Sequence, residues 1–149
     1  MKYFLKFAVH TYFILIFTSC STFSRISGIY TDIETFRPYI TEYINLKQIY
    51  LGTDKAYYAI DIIYGTPEFP TVGQCYRTSD PDLSRQVIIN AQFWANSNDN
   101  ERLELLLHEL GHCDLNFSHQ EERVGIMNAK LKNKELTDTV IKDFFLEGI

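Results

Sequence analysis

Apolar positions along the chain change their period several times, and each change marks an element. From Asp32 to about Leu51, Ile33, Phe36, Ile40, Tyr43, Ile44 and Leu46 recur at helical spacing, which predicts an amphipathic helix. Pro38 either sits near a helix start or separates the first turn from the rest, and Gly52-Thr53-Asp54 ends the run. Tyr57 to Tyr64 is rich in β-branched and aromatic residues and reads as a strand, stopped by Gly65-Thr66-Pro67. Thr71 to Arg77 reads as a second short strand, Asp80-Pro81-Asp82 as a turn, and Arg85 to Phe93 as a third strand centred on Val87, Ile88 and Ile89. The polar run from Asn96 to Asn100 offers capping side chains ahead of a long helix that begins near Glu101. Leu103, Leu106, Leu107 and Leu110 mark its buried side. Thr137 is a good N-cap for a last helix with Val140, Ile141, Phe144 and Phe145 inward. Helix, about three strands, helix and helix make an α+β domain.

Composition adds limits to that picture. A chain of 149 residues suits one domain and not two ordinary ones. It is 46% hydrophobic and 22% charged, so nothing suggests disorder. Ten Tyr, eleven Phe and one Trp predict a core filled largely by aromatic rings. A formal net charge of −5 gives no broad basic surface for phosphate backbones, which argues against a nucleic-acid partner. No oligomeric state is specified.

The first twenty residues follow a different logic. Lys2 and Lys6 give a positive start, Phe13-Ile14-Leu15-Ile16-Phe17 an apolar centre, and Thr18-Ser19 two small residues ahead of Cys20. The apolar centre is too short for the roughly 20 residues of a membrane-spanning helix, and residues 1–19 read as a signal peptide. Thr18-Ser19-Cys20 resembles the lipobox of bacterial lipoproteins, although Phe17 stands where an aliphatic residue is usual. That resemblance implies an exported protein whose Cys20 carries a lipid anchor in a bacterial membrane, on the periplasmic or cell-surface side. The alternative is plain secretion. Residues 20–30 would then be the lipidated cysteine and a Ser/Thr-rich tether, and residues 31–149 the domain. Two other cysteines, Cys75 and Cys113, are a candidate disulfide in an oxidising compartment. Cys113 reads equally well as a small buried apolar residue.

The chemistry lies in the run HELGHCDLNFSH. His108 and His112 are four apart on a helix, so both rings project from one face, a turn apart. That spacing lets two imidazole nitrogens share one Zn²⁺. Glu109 lies at the edge of the same face, where a carboxylate can act as general base on a water at the metal. A catalytic zinc takes three protein ligands and keeps one position open, so the chain must turn back to supply a third.

The sequence here resembles the metzincin metallopeptidases, whose pattern is HExxHxxGxxH followed by a methionine-containing turn. His108, Glu109 and His112 match the first part. Leu115 and Ser118 stand where the family has its Gly and third His, so the strict pattern fails. One residue later, Asn116 stands three before His119, and Asn tolerates the left-handed conformation that the family's Gly adopts. Gly125-Ile126-Met127-Asn128 looks like the methionine turn, with Met127 beneath the ligands or simply in the core. The stretch from Tyr57 to Asn128, about half the chain, also looks like small bacterial and phage metallopeptidase-type proteins with an HELGHC core and a following Ile-Met. These resemblances imply a zinc-dependent peptide hydrolase with a small metzincin-like fold, ligands His108, His112 and His119, general base Glu109, and a peptide or protein substrate.

Two alternatives stand beside that expectation. One is a lipoprotein that binds zinc without turnover; Glu109 speaks against it, since a structural site is normally closed by four ligands and needs no base. The other is a gluzincin-like peptidase in which an acid of the last helix region, Glu135 or Asp138, replaces His119. Asp114, Glu121 and Glu122 read as solvated charges. A substrate in extended form would add to a free strand edge, that of Thr71–Arg77 or of Arg85–Phe93.

Overall fold

The computed structural model describes residues 24–80, 82–120, 125–130 and 135–147. Residues 1–19, read as a signal peptide, lie outside the described residues, as do Cys20, Glu121 and Glu122. No helix among the described residues is long and apolar enough to cross a membrane.

The fold is small and α+β. In chain order it has β1 (Ser24–Ile26), β2 (Ile29–Thr31), α1 (Arg37–Leu51), β3 (Ile60–Gly65), β4 (Gly73–Tyr76), β5 (Arg85–Asn90), α2 (Ala91–Asn96), α3 (Asp99–Cys113) and α4 (Asp138–Glu147). The strands form one sheet in the order β1-β2-β3-β5-β4. β2, β3 and β5 run parallel, while β1 and β4 run antiparallel to their neighbours. β5 is therefore paired on both sides, and β4 is an edge strand.

Two strands were not expected. Residues 24–31, all but the last of which fall in the stretch read from its composition as tether, form a hairpin that extends the sheet. Its turn is Ser27-Gly28, with φ of 50° and 100°, the positive pair that a tight two-residue hairpin needs. Ile29 is fully buried. Each strand is three residues long, too short to show a period. The expected third strand also ends early. Asn90 turns its side chain to accept from the Phe93 N–H at 2.9 Å, and this cap starts α2 instead of continuing the strand.

The remaining elements follow from local chemistry. Pro38 sits in the first turn of α1, where a missing N–H costs little, behind a separate 3₁₀ turn at Glu34–Phe36. Gly52 closes α1 at φ 70°, in the left-handed region that favours glycine. Asn98 and Glu101 form a reciprocal capping box at the start of α3. Along β5, Arg85, Val87 and Ile89 are buried and alternate with half-buried neighbours, so one face of the sheet carries the helices. Phe36, Tyr43, Trp94, Phe117, Phe144 and Phe145 are buried in the core. Phe36 meets both Tyr64 and Trp94 with ring centroids 4.7 Å apart.

α3 is the central element. From Glu104 to Gly111 every residue is buried, as expected for a helix enclosed between sheet and helices rather than lying on a surface. A disulfide joins Cys75 of β4 to Cys113 at its C-terminal end, with Cα atoms 5.6 Å apart. The edge strand is thus tied covalently to the helix that carries HELGH.

Candidate metal centre

Three histidines converge beside the end of α3. The Nε2 atoms lie 3.1 Å apart for His108 and His112, 3.2 Å for His108 and His119, and 3.0 Å for His112 and His119. The first pair is set by the helix, since residues four apart are neighbours on one face. The third arrives through a corner at Asn116, whose φ is 59°, the left-handed conformation expected of it.

Tautomers decide what these contacts are. His108 Nδ1 lies 2.7 Å from the Ile126 carbonyl, and His112 Nδ1 lies 2.7 Å from the Phe117 carbonyl. A carbonyl only accepts, so each Nδ1 carries the proton and each neutral ring turns an Nε2 lone pair inward. His108 and His112 then have no proton to share across their 3.1 Å. Two lone pairs at that distance repel one another, and a cation or the Nε2 proton of His119 between them relieves the repulsion. Burial also keeps the rings neutral, which is the form that ligates metals. Burial pushes His108 down to about 4, with the charges of His112 and His119 adding to it against the opposing Ile126 bond. His112 is lowered by burial first, then by His119 and Arg77, against the Phe117 bond. The donor set therefore fits, and His108, His112 and His119 could together hold a metal ion. His119 is exposed, so one side of the group faces solvent.

Glu109 follows the first ligand in sequence. It is 3% exposed, and its Oε2 is buried without a hydrogen-bond partner. Burial alone pushes its carboxyl up to about 8. A buried, unpaired carboxyl beside three inward-facing imidazoles is the sort of perturbed group that marks functional sites. Gly73 of β4 makes the room for it, because a Cβ there would lie 2.6 Å from Glu109 Oε1.

Met127 packs on the other side of the helix. It is buried in a turn closed by the Asn128 N–H donating to the Gly125 carbonyl at 3.2 Å. A Cβ on Gly111 would lie 2.5 Å from Met127 Sδ, so glycine at the second x of HExxH lets the methionine approach the helix one residue before His112. The neighbouring Ile126 carbonyl is the one that orients His108. Glu135 and Asp138 are exposed, and neither belongs to the group of converging donors.

Asp114 corrects the expectation of a solvated charge. Its side chain is fully buried and pairs with Lys47 Nζ at 2.5 Å, while Tyr43 and the Tyr57 N–H also donate to it. Arg85 was not singled out from the sequence. It is buried and contacts the corner between His112 and His119. No protein-family model, no curated protein and no solved structure matches the chain, so the metzincin resemblance rests on the residues named above.

Proposed function

We propose that this protein is a zinc-dependent peptide hydrolase of a metzincin-like kind. The observation that carries the reading is the convergence of three Nε2 atoms within 3.2 Å of one another beside a buried carboxylate with no hydrogen-bond partner at Oε2. Nitrogens about 2.0–2.1 Å from a tetrahedral Zn²⁺ stand roughly 3.3 Å apart, close to the spacing found. His108, His112 and His119 would hold the ion, and a set of three imidazoles leaves the open position of a catalytic site. When bound, zinc supplies a Lewis acid that lowers the pKa of a coordinated water and polarises a carbonyl.

The chain's own residues supply the rest. Burial holds the Glu109 carboxyl at about 8 in the metal-free protein. The charge of a bound cation beside it would favour its ionised form, in which Oε2 would accept the proton of the attacking water and pass it to the departing amine. The carboxylate packs against the Gly73 backbone of β4 and is 3% exposed, so it would meet the water without waiting for a rotamer change. The peptide would lie along β4, because β5 is paired on both sides and, among the described strands, β4 is the one next to Glu109 with a free edge for strand addition. The Cys75–Cys113 disulfide then fixes the substrate edge relative to the ligand helix.

The test is Glu109→Gln, which keeps the size of the side chain but removes its basicity. With a mixed peptide library read by mass spectrometry, the zinc-loaded variant should bind metal as wild type does and cleave about 10²–10⁴-fold more slowly. Equal cleavage by both proteins would remove Glu109 from the mechanism. A zinc-loaded, folded wild type that cleaves nothing would favour a binding module without turnover.

A further inference from the structure

We propose that Arg85 is a positioning residue of the metal site, acting through Asn116 to set both His112 and His119. Arg85 opens β5, far from HELGH in sequence, yet its Nη1 donates to the Cys113 carbonyl at 2.7 Å and to Asn116 Oδ1 at 2.6 Å. The first of these acceptors belongs to the last residue of α3, whose carbonyl has no partner within the helix. Asn116 is held at its other end as well, since its Nδ2 donates to the Tyr58 hydroxyl at 3.0 Å. The Tyr58 ring carries the guanidinium 3.2 Å from its centroid. Arg85, Asn116 and Tyr58 therefore close a ring of contacts around the one left-handed residue between the second and third histidines.

The corner is coupled to both ligands. The Phe117 N–H donates to the Gly111 carbonyl at 2.9 Å, and the Phe117 carbonyl accepts from His112 Nδ1 at 2.7 Å. Moving Asn116 moves the Phe117 peptide, and with it the acceptor that selects the His112 tautomer. His119 follows two residues later, so the same corner sets where the third Nε2 arrives. Outer contacts of this type orient ligands and tune their affinity.

Stability alone is a poor account of this placement. Arg85 is 8% exposed, its Nε has no hydrogen-bond partner, and among the described residues no carboxylate pairs with it. Burying a cation without a counter-ion costs folding energy that the two Nη1 hydrogen bonds and the Tyr58 ring only partly offset. A guanidinium also suits the task better than an ammonium, because its fixed fork and flat face bond and stack at once.

The experiment measures zinc affinity of the full chain by chelator competition, at temperatures where circular dichroism shows each variant folded. Affinity of the folded protein is a readout that a merely structural arginine would leave unchanged. Arg85→Met keeps the stem and loses the fork, and Asn116→Gly keeps access to positive φ while losing both amide bonds. Both should bind zinc about 10–100-fold more weakly than wild type, and Arg85→Lys should recover part of the loss. With Co²⁺ in place of zinc, the visible bands of Arg85→Met should shift as the third imidazole is displaced. Wild-type affinity in Asn116→Gly overturns the proposal, whether Arg85→Met is weak, unchanged or unfolded, because the corner would then not transmit the effect. Failure of the wild type itself to bind zinc would instead defeat the metal site.

Discussion

Lys47 and Asp114 form an ion pair whose two side chains have no solvent exposure, with Nζ 2.5 Å from Oδ2. The pair joins α1 to the residue that follows the last turn of α3, two places after His112. Asp114 accepts two further bonds, from the Tyr43 hydroxyl and the Tyr57 N–H, so both carboxylate oxygens are used. Lys47 also lies 3.6 Å from the centre of the Tyr57 ring. Burial lowers the Lys47 ammonium below the ordinary lysine range, opposed by Asp114. Such a pair stabilises little relative to apolar residues of the same shape, but it is costly to break on one side.

Asp114→Asn is therefore expected to destabilise the protein by about 3–5 kcal/mol, since it leaves the Lys47 charge buried without a counter-ion. The double variant Lys47→Met/Asp114→Asn should recover part of that loss, because the stranded charge is gone. Urea unfolding of the three proteins decides the matter. A loss below about 1 kcal/mol in Asp114→Asn would mean that the pair is solvated in solution.

Parts of this arrangement are legible in the sequence and parts are not. HELGH, the Asn98–Glu101 cap and the Asn116-to-His119 offset are local, and local spacing is what a sequence displays. The Lys47–Asp114 contact spans 67 residues, which no periodicity reports. One signal was nevertheless present. Ile40, Tyr43, Ile44 and Lys47 fall on a single helical stripe, and a lysine on an apolar stripe asks for a buried acid. Arg85 gives the same hint in strand form, since it alternates with Val87 and Ile89 on the face that turns out to be buried. The β1–β2 hairpin carried no such hint, because three-residue strands within a Ser/Thr-rich run show no period. The choice of β4 over β5 as free edge depends on strand order, which only the fold supplies.

The ligand set can be separated by single substitutions. His112→Ala and His119→Ala should each weaken zinc binding by more than the roughly 10–100-fold typical of outer contacts, since each removes a donor. Glu135→Ala and Asp138→Ala should change it little, because neither side chain belongs to the converging group. Metal content after dialysis against a weak chelator is the measurement. Stoichiometric zinc in His119→Ala together with loss in Glu135→Ala or Asp138→Ala would transfer the third position to an acid.

Gly73 permits a prediction that separates the base from the metal. A Cβ at this position would lie 2.6 Å from Glu109 Oε1, 2.9 Å from Glu109 Cγ and 2.8 Å from Leu105 Cδ1. Contacts this short force something to move. The backbone of β4 is paired with β5 and joined to α3 through Cys75, so the side chains yield first. Leu105 is 1% exposed and Glu109 3%, which leaves the carboxylate little room except away from its present place. Gly73→Ala should therefore cost about 1–3 kcal/mol of stability from overpacking, while His108, His112 and His119 keep their zinc affinity. Cleavage should fall by about 10²-fold, the usual consequence of displacing a reacting group by roughly 1 Å. Gly125→Ala is the control, because an added carbon there meets nothing within 4 Å. The comparison needs zinc content, urea unfolding and peptide cleavage on the same preparations. Full activity in a folded, zinc-loaded Gly73→Ala protein would show that the position of the Glu109 carboxylate against β4 has no part in turnover.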